Sequence, residues 1–537
     1  MPNNNIRKNN IKSFLLPFLI IIIIAAVCLC FASKKDGYHI DEIYSFGLAN
    51  SRYAPYLTDI KNGDMVDKVF TRQELLEYLT IGEDDGFSPG SVYYNQTQDV
   101  HPPLFYWLLN LVSSIFRNAG FSKWPALGMN LVLYLAASLL LYAVAERLFE
   151  SRAAALVALI LYGLSSIGIS CFIMIRMYTL LTLLTLLLAF LIITHSRSRS
   201  AYLYPLIALT VFAGMMTQYY YVFYAFFLCA AYDIYMLAEK KYRDALMFSL
   251  SALLGVGLMV TAFPACIKHI FVGNGQVVSG GNALENIKDF SVWKTNIISF
   301  LGFSKQSRII IWVFVFSAAC ALVLLLAGRN GKSTGGQFPN AMAWVIIIPA
   351  VIAFFAVAVV SPVIQARYIY NLVPVLVLSL CPAVKKVENC IDGFRFGNII
   401  KYCGFAALVL LCIWDLGVNP PDYLYEDEKD FTAVTAKYTD IPCVYFDDNY
   451  FAPITADIPQ LLQFDEFLVF NDTASEAFKD YISRSDRFIA FIDNSWYWSG
   501  GVYYELVRWR IGEDTGYTNS ELVYEHGLSI AFVFEKP

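Results

Sequence analysis

The sequence predicts a polytopic α-helical membrane protein of about eleven transmembrane helices with a small extracytoplasmic α/β domain at its C-terminus. Three observations predict it. The 537 residues are 57% apolar and only 15% charged, with a mean hydropathy of +0.52, as expected of a chain whose main solvent is lipid. Apolar runs near the length needed to cross a hydrocarbon core of about 30 Å recur as far as residue 416. Beyond that point short strand-like and helix-like stretches alternate. The net charge of −5 is segregated, with bases in short loops and acids in the first long loop and the tail. No basic tract offers a nucleic-acid surface. Of eleven cysteines, Cys28, Cys30, Cys171, Cys229, Cys320 and Cys412 lie in apolar segments and Cys443 falls in the tail. That excludes a disulfide framework and a CxxC metal site.

The first apolar run, 14–32, follows Arg7, Lys8 and Lys12, which keep the N-terminus cytoplasmic. It reads as a retained anchor, because its apolar stretch is long for a signal peptide and no A-x-A site follows. Residues 104–116 are apolar but short for a span. If they do not cross, the later spans are 125–146, 153–172, 177–194, 202–217, 219–237, 245–267, 309–327, 341–361, 368–384 and 399–416. The short loops holding Arg147, Arg197, Lys240, Arg329 and Lys385 then all lie inside, as the positive-inside rule requires. Residues 104–116 are therefore expected to form an interfacial helix. A membrane domain is expected over 1–416. Its loops 33–124 and 268–308, like the tail 417–537, lie outside the cytoplasm. Gly273, Gly275, Gly280 and Gly281 make the second loop either a lid or a plain connection.

The tail reads as α/β, with strand-like runs at 443–446, 467–470, 488–492 and 530–534. Helix-like stretches fall near 455–463, 473–483 and 500–511. Trp496, Tyr497 and Trp498 read as packing or interfacial residues, with a sugar contact as the alternative.

Ionisable groups gather at the external mouths of the spans. His39, Asp41 and Glu42 follow the first span, and Asp99 and His101 precede the interfacial helix, with Pro102-Pro103 suited to its first turn. Arg176 with Tyr178, and Arg367 with Tyr368, open two spans, while Lys305 and Arg308 precede a third. One arginine at a helix mouth would merely snorkel. Several beside carboxylates suit an anionic ligand such as phosphate. Asp41 and Glu42 are adjacent, so on a helix their side chains diverge by about 100°. One acid at the reacting centre fits a single general base better than a glycosidase pair. A sugar on a lipid phosphate has a good leaving group, and needs cations there but no general acid.

With these residues assembled, the chain resembles the GT-C membrane glycosyltransferases. It is most similar to the bacterial branch related to protein O-mannosyltransferases and lipid A aminoarabinose transferases. The likeness covers roughly 10–416 and rests on Asp41-Glu42, His101-Pro102-Pro103-Leu104 with Tyr106-Trp107, Arg176-Met177-Tyr178 and Arg367-Tyr368. The resemblance implies Asp41 as catalytic aspartate, Glu42 as its acidic neighbour, and a polyprenyl-phosphate sugar donor reacting with inversion. It also implies Arg176 and Arg367 as phosphate contacts. Some relatives bind a divalent metal, for which His39, Asp41 and His101 offer ligands without a diagnostic spacing. The acceptor would be a cell-envelope glycan, lipid or protein hydroxyl. A flippase for lipid-linked sugars would show internal repeats and mid-membrane polar residues, and neither is evident. A non-catalytic glycan-binding protein would be expected to have lost Asp41, which is present.

Overall fold

The computed structural model describes the chain except for residues 1–3, 83–84, 272–287, 290, 292, 296, 299–340, 362–364, 448–451, 495–502 and 527. The Gly-rich loop, Lys305, Arg308, the span expected at 309–327 and Trp496 to Trp498 lie outside the described residues. Two compact units emerge. One comprises 1–32, 99–105 and 127–422; the other comprises 33–98, 106–126 and 423–537. The boundary drawn from composition at residue 416 thus differs from this division, which groups most of the first loop with the tail.

The first unit is helical, as its apolar runs require, and the protein is a multi-pass membrane protein. Seven described helices are long and apolar enough to cross a membrane: Leu15–Lys34, Lys123–Phe149, Tyr178–Ser198, Tyr221–Ala238, Tyr242–Ala262, Ala341–Val360 and Gly397–Val418. The pair Arg152–Gly163 and Ser166–Ile173, bent by 56°, makes up to eight. Ser165 breaks this pair by N-capping the second helix, its side chain accepting from the Gly168 N–H. Two expected spans take other forms. Leu203–Met215 is a shorter apolar helix, and 366–392 is a succession of short 3-10 and α segments. Pro374 and Pro382 each stand at a helix start there, where a missing N–H costs least.

The second unit is α/β. Its sheet comprises β1 (Lys68–Thr71), β2 (Cys443–Phe446), β3 (Glu466–Phe470), β4 (Arg487–Asp493), β5 (Asn519–His526) and β6 (Ser529–Glu535), in the order β1-β3-β2-β4-β6-β5. β3, β2 and β4 are parallel, and the others join antiparallel. The four expected strands are present; β1 and β5 add the two edges. One face buries Val444, Phe446, Phe470, Phe488, Ile492 and Phe532. Against it pack helices Glu476–Ile482, whose Phe478 stacks on Phe470 at 4.1 Å, and Tyr503–Thr515, through Val507 and Ile511. Most strand residues are buried on both faces, as parallel strands covered on both sides require.

The first-loop part of this unit is built around helix Ile40–Asn50. Helix Arg72–Leu79 approaches it so closely that a Cβ on Gly47 would fall 2.1 Å from the Tyr78 ring. Asn95 Nδ2 donates to the Leu48 and Ser51 carbonyls at 3.2 and 3.1 Å, satisfying the helix's C-terminal end. Residues 104–115 form the expected short helix, with Pro102 and Pro103 just ahead of it rather than inside its first turn. Its Trp107 and Asn110 side chains donate to the Pro89 and Ala49 carbonyls at 3.0 and 2.9 Å.

Candidate active site

The acidic turn is fixed by its own sequence. His39 is the N-cap of helix Ile40–Asn50, with extended backbone, and its Nδ1 accepts from the Asp41 N–H at 3.0 Å. Glu42, three residues after the cap, completes a capping box by accepting the His39 N–H at 2.7 Å. The same Glu42 oxygen receives Lys35 Nζ at 2.8 Å, and neither side chain is exposed. Lys35 also donates to the Tyr423 carbonyl at 2.7 Å. Burial pulls the Lys35 ammonium below its ordinary range, and Glu42 and then Glu428 act against that pull. Glu428 packs where a Cβ on Gly37 would fall, 2.1 Å from its Cγ, so the approach to this turn requires glycine.

The adjacent acids therefore separate. Glu42 points inward to charge and backbone, while Asp41 is 22% exposed. His39 Nδ1 lies 3.7 Å from Asp41 Oδ2. Because that nitrogen accepts the Asp41 N–H, a neutral His39 carries its proton on Nε2.

In the helical unit, Asp99, His101 and Arg176 come together. Asp99 Oδ2 lies 2.8 Å from His101 Nδ1, and Arg176 Nη2 lies 3.4 Å from His101 Nε2. With its Nδ1–H on Asp99, His101 turns the Nε2 lone pair to the guanidinium. Burial acts to raise the Asp99 carboxyl, but His101, Arg176 and the Val100 N–H outweigh it and hold Asp99 below the usual carboxylate range. Arg176 is held by the preceding helix end. Asn130 Nδ2 donates to the Phe172 and Met174 carbonyls at 3.0 and 2.9 Å, and Thr179 Oγ1 donates to the Cys171 carbonyl at 2.7 Å.

Arg367 lies on the 3-10 turn Ala366–Ile369, 7% exposed and 5.8 Å from the Tyr368 ring. The turn is fastened to the helix that Tyr178 opens. Tyr178 meets Tyr370 edge-on at 6.0 Å, and Asn371 Nδ2 donates to Thr185 Oγ1 at 3.2 Å. The arginine–tyrosine motifs thus stand on neighbouring segments.

Sequence reasoning missed Lys35, Tyr219 and His269. A lysine directly after a span reads as a flanking charge, although here it is fully buried. Tyr219 Oη lies 2.9 Å from His269 Nδ1. Burial, then Cys266 and Asp99, push the Tyr219 phenol up. The run Tyr219-Tyr220-Tyr221 between two apolar stretches was the available signal. Among the described residues no group of three His, Cys, Asp or Glu is arranged to hold a metal ion. His39, Asp41 and His101 belong to no such group.

Residues 100–267 match the family model described as dolichyl-phosphate-mannose-protein mannosyltransferase. This supports the likeness to the GT-C membrane glycosyltransferases. The matched stretch includes His101, Arg176, Tyr178 and Tyr219, and leaves out Asp41 and Arg367. No curated protein matches the chain. Among solved structures it is similar to ArnT from Cupriavidus metallidurans bound to undecaprenyl phosphate, at 11% identity over 96% of this chain and 97% of that one, with a TM-score of 0.46. It is also similar to the archaeal oligosaccharyltransferase AglB from Archaeoglobus fulgidus, at 10% identity over 94% and 72%, TM-score 0.43. The arabinosyltransferase EmbB from Mycobacterium smegmatis gives 16% identity over 73% and 37%, TM-score 0.35.

Proposed function

We propose that the protein is an inverting glycosyltransferase. It moves a sugar from a polyprenyl-phosphate donor to a hydroxyl of a cell-envelope glycan, lipid or protein at the outer face of the cytoplasmic membrane. The carrying observation is the division of labour between Asp41 and Glu42. Glu42 is consumed by Lys35 and the capping box, and holds the helix start on which the partly exposed Asp41 is mounted. Asp41 is the general base. It takes the proton of the acceptor hydroxyl as that oxygen attacks the anomeric carbon. The bond from that carbon to the phosphate oxygen breaks, the electron pair leaves with the polyprenyl phosphate, and a single displacement inverts the centre.

Arg176 and Arg367 contact the phosphate and stabilise its growing charge. His101 and Asp99 set the pose of Arg176. Tyr178 and Tyr368 add contacts to the donor. Lys305 and Arg308 supply further donor contacts. Glu42 and His39 position the base.

The test is release of polyprenyl phosphate from a panel of polyprenyl-phosphate sugars by purified protein in lipid, with envelope extract as acceptor. Asp41→Asn is expected to lower turnover by about 10²–10⁴-fold, the usual worth of a general base, while donor binding persists. Near-normal turnover in that variant would remove Asp41 from the role.

A further inference from the structure

The second unit holds a polar cluster that the transfer reaction does not use. Its parallel strands run β3-β2-β4, with β2 first in the chain, so the order reverses at β2. In open α/β sheets such a reversal opens a crevice at the carboxyl ends of the strands, where ligands bind. Here both carboxyl ends carry aspartate. Phe446 pairs with Ile492, so Asp447 and Asp493 follow side by side on adjacent strands. Asp493 in turn pairs with Ser529 of β6. The three form a row across one face, with strands about 4.8 Å apart. Their exposures are only 2%, 5% and 0%.

The next row on the same face contains Tyr445, whose hydroxyl donates to the buried Asp457 at 2.8 Å. Burial and then Asp457, Asp493 and Asp447 push the Tyr445 phenol well above its ordinary range, as expected if all three carboxylates bear on this spot.

One hydroxyl in the row itself, Ser529 Oγ, is buried without a hydrogen-bond partner. A buried hydroxyl left unpaired is costly unless a partner arrives. Carboxylates accept and hydroxyls both donate and accept, so the complementary ligand carries several hydroxyls of its own.

We propose that this carboxyl-end crevice is a carbohydrate-binding site. Asp447 and Asp493 accept from sugar hydroxyls, and Ser529 completes the contacts.

Saturation-transfer NMR on the full-length protein in lipid nanodiscs tests it, with methyl α-mannoside, methyl α-glucoside, methyl α-galactoside and methyl β-N-acetylglucosaminide as probes. At least one glycoside is expected to bind wild type and Asp41→Asn equally. Its affinity should fall at least tenfold in Asp493→Asn and severalfold in the milder Ser529→Ala. Binding by none of the four probes would overturn the proposal. So would binding that survives both tail substitutions, or that Asp41→Asn alone abolishes. Because binding is read without turnover, failure here is distinct from failure of the transferase reading.

Discussion

The two ionisable clusters use the same three ingredients differently. In the acidic turn, the carboxylate of Glu42 meets a lysine and a backbone N–H in complete burial, and the histidine caps a helix. In the helical unit, the histidine itself sits between carboxylate and guanidinium, and the Asp99 and His101 side chains keep 14% and 21% exposure. A fully buried ion pair is costly to form and more costly to break, which suits a fixture. A histidine set between acid and arginine orients the guanidinium, which suits a ligand contact. On the proposed reading, the more buried acid of the Asp41-Glu42 pair is the support and the less buried one the base.

The sharpest way to break this comparison is to exchange the two acids' roles. Asp41→Asn should remove turnover with little change in stability, whereas Glu42→Gln should lower stability and reduce turnover only as far as the base loses its position. Gln keeps the capping box but strands the Lys35 charge, costing about 3–5 kcal/mol. Thermal unfolding in detergent reads that loss, and adding Lys35→Met should recover most of it. If Glu42→Gln unfolds like wild type, the buried pair is not a fixture.

Next in size is the arginine pair. Arg176→Ala and Arg367→Ala should each weaken donor binding by about 1.5–3 kcal/mol, the range for hydrogen bonds to charged groups. Titration with polyprenyl phosphate measures this, and unchanged affinity would return both arginines to snorkelling.

A smaller effect concerns pH. Asp99 is held below its unfolded value, so its contribution is fully present above about pH 4 and is lost as pH falls through the depressed folded value. Wild type should lose stability on that acid limb, and Asp99→Asn should flatten it. Equal acid slopes in the two proteins would contradict the bridge.

The smallest expected change lies at Thr71, which caps helix Arg72–Leu79 in a box with Glu74. Thr71→Ala should cost about 1 kcal/mol and leave donor binding untouched.

Much of this was legible before any coordinates. Long apolar runs declare themselves because lipid forces helices, and the four inner strands stood out as apolar runs ending in turns. Asp41-Glu42, His101 and the two arginines were visible as charges where charge is expensive. What stayed hidden depends on distant partners. Lys68–Thr71 is too short and polar to read as a strand until β3 lies beside it. β5 is an edge strand with Glu521 and Glu525, and a register shift between Leu522 and Tyr524 breaks its alternation. The helical break at Ser165 follows from a side-chain cap, which hydropathy does not see.

The Lys35 contact to the Tyr423 carbonyl joins groups 388 residues apart in sequence. During synthesis the helix start bearing Asp41 emerges long before that carbonyl exists. At about 5–20 residues per second the interval runs from roughly twenty seconds to more than a minute. Through that interval the lysine has no Tyr423 oxygen to neutralise its burial, so the turn reaches its final form only once the tail has been translated. The turn that carries Asp41 would then be among the last parts of the protein to mature, and a nascent chain stalled before Tyr423 would leave it unfinished.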